Sequence, residues 1–340
     1  MHLGLENTLV KYGALNPNGL SLNLQFAADK TLTARKGPTP TFTRASTATF
    51  VGSNGLIQSA VSDQARFDHD PVALTCKGLL IEESRTNLVF PSATLTTQTR
   101  TVTAVAHTLS FYGAGTIVLS GAHVATVTGT GAYPTRTTLT FTPTAGSLIL
   151  TVTGSVTQAQ LEAGAFATSY YPTTGSALTR SADICLITGA DFTGFWNQSA
   201  GTLVEAFEAS PNTNTTYVSA SNGNIAENSV HLDNDTGLMR AVYYSGSSLV
   251  APLDLGSVGT VGAVNTIATA YTVNDFAASR NGGVVVIYSP GAVPVSLSQM
   301  NIGADERSQT PTSFYSNRCI KSLTYYKKRL SNSKLQVLST

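Results

Sequence analysis

The side chains that could do chemistry in this sequence are few and stand far apart. Cutting a glycosidic bond takes two carboxylates on either side of it, yet Glu82 and Glu83 are adjacent, so in a strand they point to opposite faces. Pairing with Arg85 or Arg44 is their expected use. The five histidines, His2, His69, His107, His123 and His231, are scattered with no nucleophile beside them, and no Gly-x-Ser-x-Gly elbow occurs. Asp233 and Asp235 before Gly237 outline part of a calcium loop but lack the third ligand and the closing bidentate glutamate. Cys76, Cys185 and Cys319 are odd in number and distant, which gives neither a disulfide framework nor a zinc site; they are expected to be small buried hydrophobes. Gly129 and Gly131 have no third glycine and no following helix, so they are not a dinucleotide loop. The expectation is a protein with no catalytic residue, no metal and no cofactor.

Aromatic rings beside Asn, Asp and Thr offer a different chemistry, because a flat ring stacks on the C–H face of a sugar while polar neighbours bond its hydroxyls. Trp196, Tyr217, Tyr243 and Tyr244 are the candidate ligand-binding residues on this ground. Aromatic residues of β-sandwiches also fill cores, and of the adjacent pair Tyr243 and Tyr244 one must point inward.

The elements that would carry these residues are strands. Only 11% of the residues are charged, against roughly a quarter in an average soluble domain, while Ser and Thr make up about a quarter of the chain. Exposed helices need more Glu, Lys and Arg than this. Short apolar and Thr-rich runs at 108–112, 116–120, 123–128, 136–142, 148–153 and 156–161 recur at the spacing of a sandwich or barrel. Leu139 and Phe141, then Leu148, Leu150 and Val152, fall at every second position, which puts one face in the core and hydroxyls on the other. The Pro-Thr-Ala-Gly sequence between the two runs predicts an antiparallel hairpin. A second all-β block starts near Ser176, with strands expected at 201–209, 229–233, 238–244, 266–272, 276–280, 284–288 and 319–326. Asn281-Gly282 predicts a type I′ hairpin, Asp233 to Gly237 another, and Ser331 is placed to cap a helix over 332–338 whose Leu330, Leu335 and Leu338 lie on the sandwich.

Twenty basic and nineteen acidic residues leave a net charge of +1, so no footprint for nucleic acid is visible. No run approaches the roughly 20 apolar residues of a membrane span, and Glu6, Asn7 and Lys11 occupy the place where a signal peptide needs its apolar core. The charged, irregular stretch 1–88 is expected to be a docking segment, for a larger particle or for a neighbouring subunit, because Arg–Glu pairing suits a specific polar interface.

Three runs are more specific than composition: TFTRASTATFVGSNGLIQSA from Thr41, RFDHDP from Arg66 and KGLLIEESRTNL from Lys77. They resemble a recurring segment of structural proteins of tailed bacteriophages and prophages. QLEAGAFATSY from Gln160, with PTTG and TRSAD following, is similar to the joint in such proteins between a carbohydrate-module-like jelly roll and a concanavalin A-like or laminin-G-like sandwich. The closing runs NDFAASRNG and IKSLTYYKKRLS resemble the end of that second domain. The resemblance implies an all-β chain of tandem antiparallel sandwiches, with the irregular segment 1–88, a jelly roll over 89–175, a concanavalin A-like sandwich over 176–340 and a short C-terminal helix. It implies a virion protein of the tail-fibre, tail-spike or head-fibre kind, made in the host cytoplasm and placed on the tail or capsid surface. Its expected partners are other virion proteins, host surface polysaccharide bound without cleavage, and further copies of itself, as a trimer. The alternative is a capsid or tail decoration protein whose lectin-like domains make protein contacts alone. Arg44, Glu82 and Arg85 are expected to form an ion-paired scaffold.

Overall fold

The computed structural model describes residues 19–307 and 310–340; the stretch on which the signal-peptide expectation rests lies outside them. The chain forms two compact units. One is built from residues 19–42, Cys76–Ile81 and Ile184–Thr340, the other from Thr43–Thr75 and Glu82–Asp183. The described part of 1–88 therefore contributes to both units, and much of it is regular. Leu20–Leu24 and Cys76–Ile81 both pair antiparallel with Arg318–Tyr326, near the end of the chain. Charge and spacing hide such strands, because pairing with so distant a partner leaves no local pattern.

The second unit is an antiparallel sandwich. One sheet runs Ala125–Thr128, Thr116–Gly121, Gly146–Thr153, Gln98–Val102, and the other Thr137–Phe141, His107–Tyr112, Thr157–Ala163. Leu109, Phe111, Ile117, Leu119, Leu148, Leu150 and Leu161 are buried together as its core, with Leu139 and Val152 packed against them. The period-two alternation thus places the expected side chains inward. The hairpin expected between 136–142 and 148–153 does not form: Thr137–Phe141 pairs with His107–Tyr112, and Gly146–Thr153 pairs with Thr116–Gly121 and Gln98–Val102. The intervening turn crosses from one sheet to the other, and the Thr144 N–H donates to the Ala122 carbonyl at 3.0 Å. Alternation says which face is buried; it does not say which strand lies alongside.

In the first unit one sheet runs Val286–Tyr288, Asp275–Arg280, Val264–Thr272, Ala200–Glu208, Arg318–Tyr326. The facing sheet runs Ile184–Thr188, Gln299–Ile302, Asn214–Ser221, Ser229–Asp235, Leu238–Ser245, Ser248–Ser257. Aromatic rings join the two across the core: Phe207 stacks on Tyr217 at 3.8 Å, and Tyr243 meets Phe276 at 4.9 Å and Tyr271 at 5.9 Å. The turn between Ser229–Asp235 and Leu238–Ser245 is Thr236-Gly237, with φ of 51° and 87°, as a type I′ turn requires. Asn281 and Gly282 also take positive φ, 50° and 70°, and the Gly283 N–H closes the turn on the Arg280 carbonyl at 2.9 Å. The Asn281 N–H bonds Thr266, however, and the strand resumes only at Val286. The helix Asn332–Leu338 starts after Ser331, whose side chain makes no capping bond. Its Leu335, with Leu330 and Leu338, packs on Val204, Ala268, Ala270 and Ala277, small side chains that let it lie close to the sheet. Cys185 and Cys319 are buried and Cys76 half-buried.

Candidate functional site

Five charged side chains meet out of water in the second unit. Arg44, Arg66, Glu82, Arg180 and Asp183 are each no more than 3% exposed. Arg66 donates through Nη1 to Glu82 Oε2 at 2.7 Å and through Nη2 to Asp183 Oδ2, and Arg44 Nη1 reaches Asp183 Oδ1 at 3.1 Å. Arg180 stands 3.6 Å from Glu82 and donates to the Glu83 carbonyl at 2.7 Å. Ser169 donates to Glu82 from both its N–H and its hydroxyl at 2.7 Å. Burial alone would raise the Glu82 carboxyl; the Arg180 and Arg66 charges and the Ser169 bonds outweigh it and hold it well below the usual carboxylate range.

Arg44 and Glu82 thus belong to one ion-paired scaffold, joined through Asp183 and Arg66. Arg85 stands apart from it: it pairs with Glu83 at 2.5 Å and lies over the Phe166 ring at 4.8 Å. Its guanidinium occupies the space where a side chain at Gly164 would begin. Arg66, Arg180 and Asp183 complete the scaffold without having been singled out from sequence, although each lies in one of the motif runs. The motifs therefore converge on a network sealed from solvent, which gives it the role of a frame and leaves no opening for a ligand.

Three of the four aromatic candidates are core residues. Tyr217 and Tyr243 are fully buried and Trp196 is 5% exposed, so none can touch a ligand. Trp196 follows the helix Gly189–Phe195 and stacks on Tyr325 at 4.2 Å. Tyr243 bonds Thr269 at 2.6 Å, and the Tyr217 hydroxyl accepts the Ser210 N–H at 3.1 Å. Strand geometry explains the fourth: with Tyr243 inward, Tyr244 is carried to the opposite face, where it is half-buried.

That face holds an open recess of about 270 Å³ whose lining includes Asn214, Thr216, Asp233, Asp235, Arg240 and Tyr244. Asp233 and Arg240 are direct cross-strand partners. Arg240 donates to Asp233 through Nε at 3.0 Å and Nη2 at 2.7 Å, and Nη1 lies 2.9 Å from Asp235 Oδ2. The bonds to Asp233 lead in raising the Arg240 guanidinium; for Asp233, burial acts upward and is outweighed by bonds from His231 and Arg240, which leave it lowered. The Thr216 hydroxyl donates to the buried Asp305 at 2.9 Å. The Tyr244 ring stacks on His231 at 6.2 Å.

Ser229, His231 and Asp233 share this face at alternate positions of one strand, with Ser229 Oγ 3.0 Å from His231 Nδ1 and His231 Nε2 3.6 Å from Asp233. The trio offers no nucleophile: Ser229 is fully buried, and its hydroxyl donates to the Ile225 carbonyl at 2.6 Å. Among the described residues, no group of three His, Cys, Asp or Glu side chains is placed to hold a metal ion. A cavity of about 350 Å³ in the second unit is lined by Leu88 and Val102 with Arg85 and His107. Arg85 is already neutralised by Glu83, and His107 is bonded to the Val105 carbonyl at 2.8 Å.

Two antiparallel sandwiches, one with a polar recess on a sheet face, define the class of the chain. No known protein family and no curated protein matches its sequence. Among solved structures, it is similar to the CBM40 of Ruminococcus gnavus IT-sialidase bound to α2,3-sialyllactose, at 17% identity over 42% of this chain and 83% of that one, with a TM-score of 0.37. NanB sialidase from Streptococcus pneumoniae matches at 15% identity over 44% of this chain, with a TM-score of 0.38. Trypanosoma rangeli sialidase matches at 16% over 46%, with a TM-score of 0.35. The match spans 26% of each sialidase chain.

Proposed function

We propose that the first unit is a carbohydrate-binding sandwich that holds sugar in the recess of Asp233, Asp235, Arg240 and Tyr244 without cleaving it. One observation carries this reading: of the aromatic candidates, Tyr244 alone lines an open recess, beside a guanidinium and two carboxylates that set donors next to acceptors. A sugar hydroxyl both donates and accepts, and an adjoining ring adds a surface for its C–H face.

The finer reading is a bacteriophage virion structural protein, a tail or head fibre made in the host cytoplasm and directed at host surface polysaccharide. The long motif runs support it, and a homotrimer would present several weak sites at once. Retention of the intact protein on arrays of bacterial capsule and lipopolysaccharide glycans tests the binding. Tyr244→Ala should lower it about tenfold, the loss of one well-placed aromatic contact, while Tyr288→Ala, an exposed ring elsewhere, leaves it unchanged. Imaging of intact particles tests the location; a first unit packed flat between capsid or tail subunits with its recess covered would retire the adhesin reading.

A further inference from the structure

We infer that the recess accepts uncharged sugars and turns away carboxylated or sulfated ones. This rests on the sugar-binding reading above and adds the chemical class of its ligand. Arg240 is the only cation among the described lining residues, and its charge is already answered by carboxylates. Of its five N–H donors, two make a bidentate pair with Asp233 and a third serves Asp235. Two carboxylates thus answer one guanidinium.

Among the described residues, the next neighbour of Arg240 is again an acid. Asp254 is the cross-strand partner of Arg240 on the next strand and is exposed. His231 faces Asp233 from its own strand at 3.6 Å. An anionic sugar would have to displace Asp235 from Arg240 or sit beside it, and like charges brought together at a contact oppose binding. An uncharged sugar meets no such opposition. The side chain of Asp235 is 44% exposed, and a carboxylate has about four lone-pair sites, so it accepts sugar hydroxyls while holding Arg240. The two remaining Arg240 N–H groups donate to sugar oxygens. A volume of about 270 Å³ falls just under the roughly 300 Å³ at which pockets for larger ligands begin, which fits one ring or a chain end rather than a long segment.

The test compares retention of the intact protein on neutral oligosaccharides and on carboxylated ones of matched length. Neutral sugars should bind, and their acidic counterparts at least about tenfold more weakly, with the gap closing as salt screens the exposed charges. Asp235→Asn removes one negative charge from the recess and should shrink the gap between neutral and acidic sugars to about threefold, read as the ratio of the two retentions on the same variant. Acidic sugars bound as tightly as neutral ones, in a manner lost in Tyr244→Ala, would overturn the charge inference and leave the sugar-binding reading standing. No retention of either class would overturn both.

Discussion

Arg66 and Arg240 have the same kind of company and opposite access to solvent. Each guanidinium is held by two carboxylates, Glu82 and Asp183 for the first, Asp233 and Asp235 for the second. Arg66 is wholly buried with its partners, whereas the Arg240 and Asp235 side chains are 25% and 44% exposed. A charge without water depends on every partner it has, so the first cluster locks loops of its unit together. A charge at the wall of a recess keeps hydrogen-bonding capacity to spare, so the second can meet a ligand. Residue type and pairing are alike; access to solvent separates the frame from the proposed site.

The sharpest way to break this comparison is to remove one acid from each cluster. Asp183→Ala leaves Arg44 and Arg66 buried without their shared partner and should cost about 3–5 kcal/mol, read as a lowered denaturant midpoint. Asp235→Ala should cost about 1 kcal/mol or less, as for other exposed pairs. Equal losses would mean that the recess cluster is as structural as the buried one.

Two buried carboxyls, one in each unit, should also respond oppositely to pH. Glu82 is held below its unfolded value of about 4.3, so its contribution is present above that value and lost as pH falls toward its folded one. Glu205, in the first unit, is the reverse case. It is fully buried, neither of its oxygens has a hydrogen-bond partner, and burial pushes its carboxyl well up. Its protonated form is the one the fold accepts, so the stability it allows is present below the unfolded value and lost as pH rises toward the folded one. Glu205→Leu should stabilise the protein by about 1–3 kcal/mol at pH 7, the cost of an unsatisfied buried polar group, with the gain shrinking in acid. A melting-temperature series from pH 4 to 9 on both proteins checks the sign. The smallest effect belongs to Ser331→Ala: with no side-chain capping bond to lose, it should cost under about 0.5 kcal/mol, below the usual range for a cap.

Much of the fold was legible because it is local. Leu148 and Leu150 turn inward as their spacing requires, and Gly237 and Gly282 mark turns that need positive φ. What was hidden is pairing between distant segments. Nothing around Phe141 says that its strand joins His107–Tyr112, and nothing around Asp183, a lone acid after a short polar run, says that it closes a network with Arg44 and Arg66. The recess was half legible. Strand alternation required one of Tyr243 and Tyr244 to face out, but only the partners across the sheet decide which, and only burial removes Trp196 and Tyr217. Arg240, central to the recess, gave no signal, since its meaning comes from lying opposite Asp233.

The strand Arg318–Tyr326 has one more consequence, for the order of events during synthesis. It is the partner of both Leu20–Leu24 and Cys76–Ile81, and it is made long after either of them. All residues of the second unit are made by Asp183, and the stretch from there to Tyr326 takes on the order of 7–30 s to translate at about 5–20 residues per second. During that interval neither early strand has Arg318–Tyr326 to pair with, and apolar residues such as Leu22, Leu24, Leu79 and Ile81, all buried in the finished fold, lack the cover that strand provides. The nascent chain therefore passes through a stage in which one unit is able to fold while the other exposes β-prone segments, the stage at which chaperones or self-association compete for it.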